Sequence, residues 1–177
     1  MIYKLNTTYH LHENREGKIS ENKVKITLEN NHLNFHYEII DKCIYNPLTK
    51  DNDDLYDYDV VEVFISFKER KDEYFEYELS PFGVRFKGLI INKTLKDPTL
   101  TRVEPDFEYE VNKTETGYNA IISLDVSKIN NFDINKIYFN CFAIDVDGQS
   151  DYQNLYALNP TLSNTFHLSS FLSKLEK

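Results

Sequence analysis

The residues with the most scope for chemistry lie between positions 51 and 62. Asp51, Asp53, Asp57 and Asp59 lead into Val60-Val61-Glu62-Val63-Phe64. Together with Glu62, the four aspartates fall at the ligand offsets of an EF-hand calcium loop. Leu55, however, stands where an oxygen ligand is needed, and Tyr56 where the glycine of the sharp turn belongs. The flanks read as strand, not helix, so an EF-hand is excluded. Asp51, Asp53, Asp57 and Asp59 remain candidates for a looser calcium site, with a solvated acidic loop as the alternative. Glu62 has its own significance. In a strand, Val61, Val63 and Ile65 share one face and Val60, Glu62 and Phe64 the other. A carboxylate between Val60 and Phe64 is either the polar side of an exposed sheet or a placed functional group. Tyr56 at the loop end would set a ring beside it. A ring next to a carboxylate suits a sugar: the ring stacks on the C–H face and the carboxylate accepts hydroxyl hydrogen bonds.

Glu73, Glu76 and Glu78 offer further carboxyls. Glycoside hydrolysis needs two carboxyls at a set separation across a cleft, which neighbours on one strand do not provide. Glu76 and Glu78 share a face that reads as the wet side of a sheet, so no enzyme is expected. Asp145, Asp147 and Asp151 could ligate a cation, but an Asp147-Gly148 hairpin turn explains them equally. His10 with His12, and His32 with His36, form pairs to which nothing adds a third metal ligand. No P-loop, dinucleotide-binding glycine pattern, Gly-x-Ser-x-Gly or His-Glu-x-x-His is present. Cys43 and Cys141 both sit in strand-like runs and are expected to be buried, reduced thiols. No cofactor is expected beyond the calcium alternative.

The elements that must hold these residues are strands. Strand patterns cover Tyr3 to Tyr9, Lys23 to Leu28, Leu33 to Ile40, Val60 to Phe67 (apolar with few interruptions), Tyr74 to Leu79, Val84 to Ile91, Phe107 to Lys113, Gly117 to Leu124, Lys136 to Val146 and Tyr152 to Leu158. Asn30-Asn31, Ser80-Pro81-Phe82-Gly83 and Asp147-Gly148 are turn signals. Asp125 to Phe132 is the one expected short helix, capped by Asp125. Residues 92–105 read as a loop or irregular edge. The pattern predicts an all-β fold, an antiparallel β-sandwich with one short helix, in a single domain over residues 1–177. Tyr and Phe, 13 and 12 of them, favour such pleated surfaces. The net charge of −9 repels phosphate, so neither nucleic acid nor an anionic membrane is an expected partner. No apolar run is long enough to span a bilayer as a helix. No signal-peptide pattern follows Met1, and a cytoplasmic location is expected.

In order, these motifs resemble the family-nine carbohydrate-binding modules and the wider DOMON-like superfamily of jelly-roll-like sandwiches. Leu55-Tyr56-Asp57-Tyr58-Asp59-Val60-Val61-Glu62-Val63-Phe64-Ile65 is similar to the family's aromatic, Asp, Val-Glu-Val-Phe-Ile core. Asn31 to Tyr37 resembles the strand before it. Tyr74 to Gly83 resembles the following strand and turn, and Gly117 to Val126 the strand before a short helix. Phe139 to Ala143 and Phe166 to Phe171 resemble the closing elements. The resemblance implies a non-catalytic carbohydrate-binding protein whose partner is a mono- or oligosaccharide. In sugar-binding members two Trp rings sandwich the sugar, and a Glu and an Arg bind its hydroxyls. By position, Tyr56 replaces the first Trp and Glu62 keeps the Glu. Glu78 falls at the Arg position, with Arg85 on the next strand as the available cation. Leu158 occupies the second Trp position, and Tyr156 is the nearest ring. The alternative is a structural or protein-interaction sandwich that has lost the sugar site. DOMON-like relatives can carry haem. With Met1 the sole methionine, haem is not expected here.

Overall fold

Alternation governs the chain from end to end, and a computed structural model, describing residues 1–148 and 151–177, turns it into strands. Among the described residues these are β1 (Ile2–Lys4), β2 (Thr7–Glu13), β3 (Ile19–Glu29), β4 (His32–Ile40), β5 (Val60–Ser66), β6 (Glu73–Leu79) and β7 (Arg85–Ile91). They continue with β8 (Thr99–Arg102), β9 (Glu108–Lys113), β10 (Gly117–Asp125), β11 (Tyr138–Asp145), β12 (Asn154–Ala157) and β13 (Ser173–Glu176). The strands pair in the order β8-β7-β6-β5-β11-β12-β2-β3-β4-β10-β9, antiparallel along this path. β1 runs parallel to β13, which also pairs with β11.

This continuous sheet curls into two layers, a β-sandwich. One layer holds β8, β7, β6, β5, β11 and β12; the other holds β2, β3, β4, β10 and β9. Residues of one parity from both layers form the main core: Phe35 and Tyr37 from β4, Val61 and Val63 from β5, Ile122 from β10 and Phe139 from β11. Each such side chain contributes about 1.5–3 kcal/mol by leaving water. The Phe35 and Phe139 rings lie 6.0 Å apart, one ring from each layer.

The other parity of the β5–β6–β7–β11 layer faces outward, yet it is buried too. Val60, Phe64, Tyr74, Phe86, Phe142 and Ile144 form a second apolar cluster with Leu55, Val146, Phe166 and Leu172. Two long segments cover it, residues 41–59 and 158–172. Every residue of β5 is buried, so the near-continuous apolar run of that strand has a physical cause in burial on both faces.

Several sequence expectations change. The run from Tyr3 to Tyr9 is broken at Asn6 (φ 59°) into two strands, a backbone angle Asn tolerates. The segment expected as a helix from Asp125 holds only a 3-10 turn, Val126–Lys128, capped by the Asp125 carboxylate on Ser127 N–H. Its one inward turn offers too few hydrogen bonds to extend. Thr99–Arg102, within the expected loop, pairs with β7 as an edge strand. Cys141 is buried and Cys43 is exposed; both are free thiols. Cys43 lies just past β4, in the covering segment. Asp147 (φ 45°) and Gly148 (φ 73°) adopt left-handed angles, but the last β11–β12 pair is Asp145 with Asn154, so they lie in a longer connection and not in the expected two-residue hairpin.

Candidate functional site

The cross-strand register builds the site. Glu62 on β5 stands opposite Glu78 on β6, and Phe64 opposite Glu76. On the far side Glu62 meets Phe142 of β11, and on β7 Phe86 and Gly88 continue the rows of Glu78 and Glu76. Three glutamates and several rings thus share one face. The Tyr37 hydroxyl, from the opposite layer, donates to the Glu62 backbone carbonyl at 2.6 Å and fixes this part of β5.

The covering segments leave a cavity of about 330 Å³ over this face. Glu62, Phe64, Glu76 and Phe86 come from the sheet; Tyr56, Phe166 and His167 come from the covers. The volume lies at the low end of small-molecule sites, about 300–1,000 Å³. Tyr56 belongs to the 3-10 turn Leu55–Asp57 and is 40% exposed. Gln153 Nε2 holds that turn by donating to Tyr56 O at 2.8 Å. The opposite cover is tied down more heavily. Asn140 on β11 donates to Asn159 O at 2.9 Å and accepts from Asn159 N–H at 3.0 Å. Asn92 Nδ2 donates to His167 O at 2.7 Å, and His167 Nδ1 lies 2.9 Å from the Tyr74 hydroxyl. Phe166 stacks on Phe142 at 4.2 Å, and the His167 ring stacks on Phe64 at 4.9 Å.

The electrostatics of the cavity are one-sided. Glu62, Glu76 and Glu78 are 1%, 5% and 0% exposed. As carboxylates, both oxygens of Glu78 and Oε1 of Glu62 meet no donor. A bond between Glu76 and Glu78 forms only when one of the two holds a proton. Burial raises all three acids. Glu76 is pushed up to about 8. Glu62 and Glu78 go well above the carboxylate range, burial first and the neighbouring glutamate charges second. Burial pushes His167 down to about 4. It is therefore neutral near pH 7, and its Nε2, 3.9 Å from Glu76 Oε1, brings no charge.

The sequence-predicted site residues divide by face. Tyr56 and Glu62 meet at the cavity, and Glu78 lies beside Glu62 on the same face. Arg85 pairs in register with Leu79 of the main core, so it lies on the opposite face. There it bonds Asp51 at 2.6 Å and sits over the Phe107 and Tyr109 rings. Tyr156 is opposite Ala143 and packs against the main core. Neither approaches Glu62 through the sheet. The expectation that Glu76 and Glu78 form a wet surface is corrected: the covering segments bury both. Sequence reasoning missed Phe166 and His167 as site residues, and Arg102. Arg102 lies in register with Gly88, sits 5.8 Å over the Phe86 ring and pairs with Asp54.

The calcium candidates separate as well. Asp51 is taken by Arg85, Asp53 accepts from Lys50 N–H at 3.3 Å, and Asp57 is exposed. Asp59 instead joins Asp41 and Asp145, with one oxygen from each within 4.8 Å of the others. Asp59 accepts from Val146 N–H at 2.8 Å and from Tyr45 N–H. Asp41 Oδ2 and the Tyr118 hydroxyl are buried there without partners. Burial pushes Asp59 up to about 7 and raises Asp145. An all-oxygen donor set of this kind suits a hard divalent cation such as calcium.

The sandwich carries a ring-walled cavity with a polar floor on its outer face. The solved structures agree on the fold. A crystal structure from Bacteroides uniformis superposes with a TM-score of 0.77 at 14% identity, covering 96% of this chain and 85% of its own. A family 9 carbohydrate-binding module from Caldicellulosiruptor kristjanssonii, in complex with cellotriose, matches with a TM-score of 0.64 at 14% identity, over 99% of this chain and 92% of its own. A glucose complex of a family 9 module from the same organism gives 0.64 and 14%, over 99% and 95%. No protein of curated function matches. The family model for carbohydrate family 9 binding domain-like proteins matches residues 2–170. The chain belongs to that family, a family of carbohydrate-binding domains rather than catalytic ones.

Proposed function

We propose that this protein binds a mono- or oligosaccharide, without catalysis, in the cavity over β5 and β6. The observation that carries the reading is Glu62: a buried carboxyl with an unpartnered oxygen, lining a cavity walled by Tyr56, Phe86 and Phe166. A buried polar atom without a partner costs about 1–3 kcal/mol, and a sugar hydroxyl would satisfy it. The rings supply C–H stacking surface. Family membership supports the ligand class, as do the relatives crystallised with cellotriose and glucose.

The test is a two-dimensional NMR titration of the whole chain with a panel of mono- and oligosaccharides. The expected result is saturable shifts at Tyr56, Gln153 and Phe166 with one sugar class, weakened at least about tenfold in Tyr56→Ala. No response to any sugar, or equal binding by Tyr56→Ala, overturns the assignment. A sugar-silent protein that captures a stoichiometric partner would be an interaction sandwich instead.

A further inference from the structure

The cavity has an unusual charge inventory for a neutral-sugar site. Its lining includes two buried glutamates, Glu62 and Glu76, and neither lysine nor arginine among the described residues. Glu78 adds a third carboxyl directly opposite Glu62. Two guanidiniums border the lining, both already engaged: Arg102 pairs with Asp54 and lies over Phe86, and Arg15 donates to Asn164 Oδ1 and the Gln153 carbonyl. The remaining titratable groups of the lining are Tyr56, largely outside the buried floor, and His167, whose ring stacks on Phe64. Like charges directly opposite on neighbouring strands destabilise a sheet. Buried carboxyls therefore stay protonated or acquire a cation.

Among the described residues no lysine or arginine lines the cavity, so a bound ligand is the remaining source of a cation. A single metal ion does not fit. Among the described residues the carboxylates converging tightly enough for one are Asp41, Asp59 and Asp145, not the three glutamates. The cavity fits a larger cation with apolar flanks, because rings border it on both covers: Tyr56 on one side and Phe166 on the other. A net charge of −9 adds long-range attraction for such a ligand.

We propose that the cavity selects a sugar bearing a protonated amine, an amino sugar, whose ammonium docks on Glu62 and Glu76 while its ring packs against Tyr56 and Phe166. The proposal rests on the carbohydrate reading above and narrows it. Glu78 acts from behind: its charge raises the proton affinity of Glu62 when the site is empty. A bound ammonium reverses this, and the displaced proton passes to solvent.

Calorimetric titration of the intact chain near pH 6 tests this with four probes: glucosamine, glucose, N-acetylglucosamine and spermidine. Glucosamine is expected to bind about 10- to 100-fold more tightly than glucose or N-acetylglucosamine, the margin of a charge-assisted hydrogen bond. Its binding enthalpy should change with the ionisation enthalpy of the buffer, because protons are released. Glu76→Gln and Glu62→Gln should each erase most of the margin between glucosamine and glucose, and melting curves report whether each variant folds. Equal affinity for glucose and glucosamine overturns the ammonium proposal and leaves sugar binding standing. Spermidine binding without any sugar binding, or silence from all four probes, overturns the amino-sugar proposal, while the titration with oligosaccharides described above decides the carbohydrate reading separately.

Discussion

Glu62 and Glu78 face each other across adjacent strands, both buried, and neither lysine nor arginine lines the cavity beside them. A fold tolerates such a pair only by keeping protons on it or by reserving it for a ligand. Stability and binding are therefore linked through the same carboxyls.

The first consequence is a pH dependence of stability. Glu76 rises from its ordinary 4.5 to about 8 on folding, and burial raises Glu62 and Glu78 well above the same ordinary value. The folded state then holds protons that the unfolded chain has released. Stability is greatest below the unfolded value and falls as pH climbs from about 4.5 through about 8. His167, lowered to about 4 from 6.5, opposes this only below about pH 6.5, and one imidazole is outnumbered by three carboxyls. Thermal melts should give a lower Tm near pH 8 than near pH 5, and Glu76→Gln should flatten the slope. A Tm that rises over this range would contradict the burial of these acids.

Arg85 and Arg102 make a contrasting pair. Arg85 lies on the inner side of the sheet, held by Asp51 and the Phe107 carbonyl. Arg85→Ala should leave sugar affinity within about twofold and cost about 1 kcal/mol of stability, since its ion pair is partly exposed. Arg102→Ala removes the guanidinium over Phe86 and frees Asp54 at the cavity side. It should alter sugar affinity more than Arg85→Ala does. Titration of both variants checks this, and the reverse ranking would mean the ligand lies on the other face.

The covering segment at Phe166 invites a second comparison. Phe166 stacks on Phe142 and also lines the cavity, so Phe166→Ala should weaken both folding and binding. A buried aromatic truncation costs about 3–5 kcal/mol; Phe166, 8% exposed, should fall at the lower end. Tyr56→Ala, at a 40% exposed position, should lower affinity with a Tm change of only a degree or two. Denaturation curves read beside titrations separate the two effects.

Much of this architecture was written in residue alternation. Most strands and the shared face of Val60, Glu62 and Phe64 follow from period two, whereas Asp147-Gly148 lies in a longer connection and not in a two-residue hairpin. Two site assignments failed the same rule. Arg85 is in register with Leu79, and Tyr156 with Ala143, so both take the inner parity. A position near in sequence to a family motif does not reach through a sheet. Phe166 and His167 carried no local signal, because a long irregular segment brings them over β5 through anchors such as Asn140 to Asn159. The burial of Glu76 and Glu78 was hidden for the same reason: it depends on what covers the strand, not on the strand. Asp59 was identified as acidic and placed with the wrong partners. Asp41 and Asp145 join it from strand ends distant in sequence.

That aspartate cluster gives the last prediction. Asp41, Asp59 and Asp145 hold three carboxylates together with the unpartnered Asp41 Oδ2 and the Tyr118 hydroxyl. Without a cation, burial first and the neighbouring carboxylate charges second raise Asp59 and Asp145. With one, their charge becomes coordination energy. Millimolar calcium should therefore raise Tm, with a gain set by the ratio of free ion to dissociation constant, about 2.7 kcal/mol at a hundredfold excess. A chelator should reverse the gain. Asp59→Asn keeps an oxygen for one backbone N–H while removing the charge, so it should abolish most of the calcium response. Asp53→Asn, in the loop that resembles an EF-hand, should leave the response intact. Equal responses in the two variants would place the ion in the exposed loop instead, and no response in the wild type would leave the cluster as a protonated, metal-free packing element.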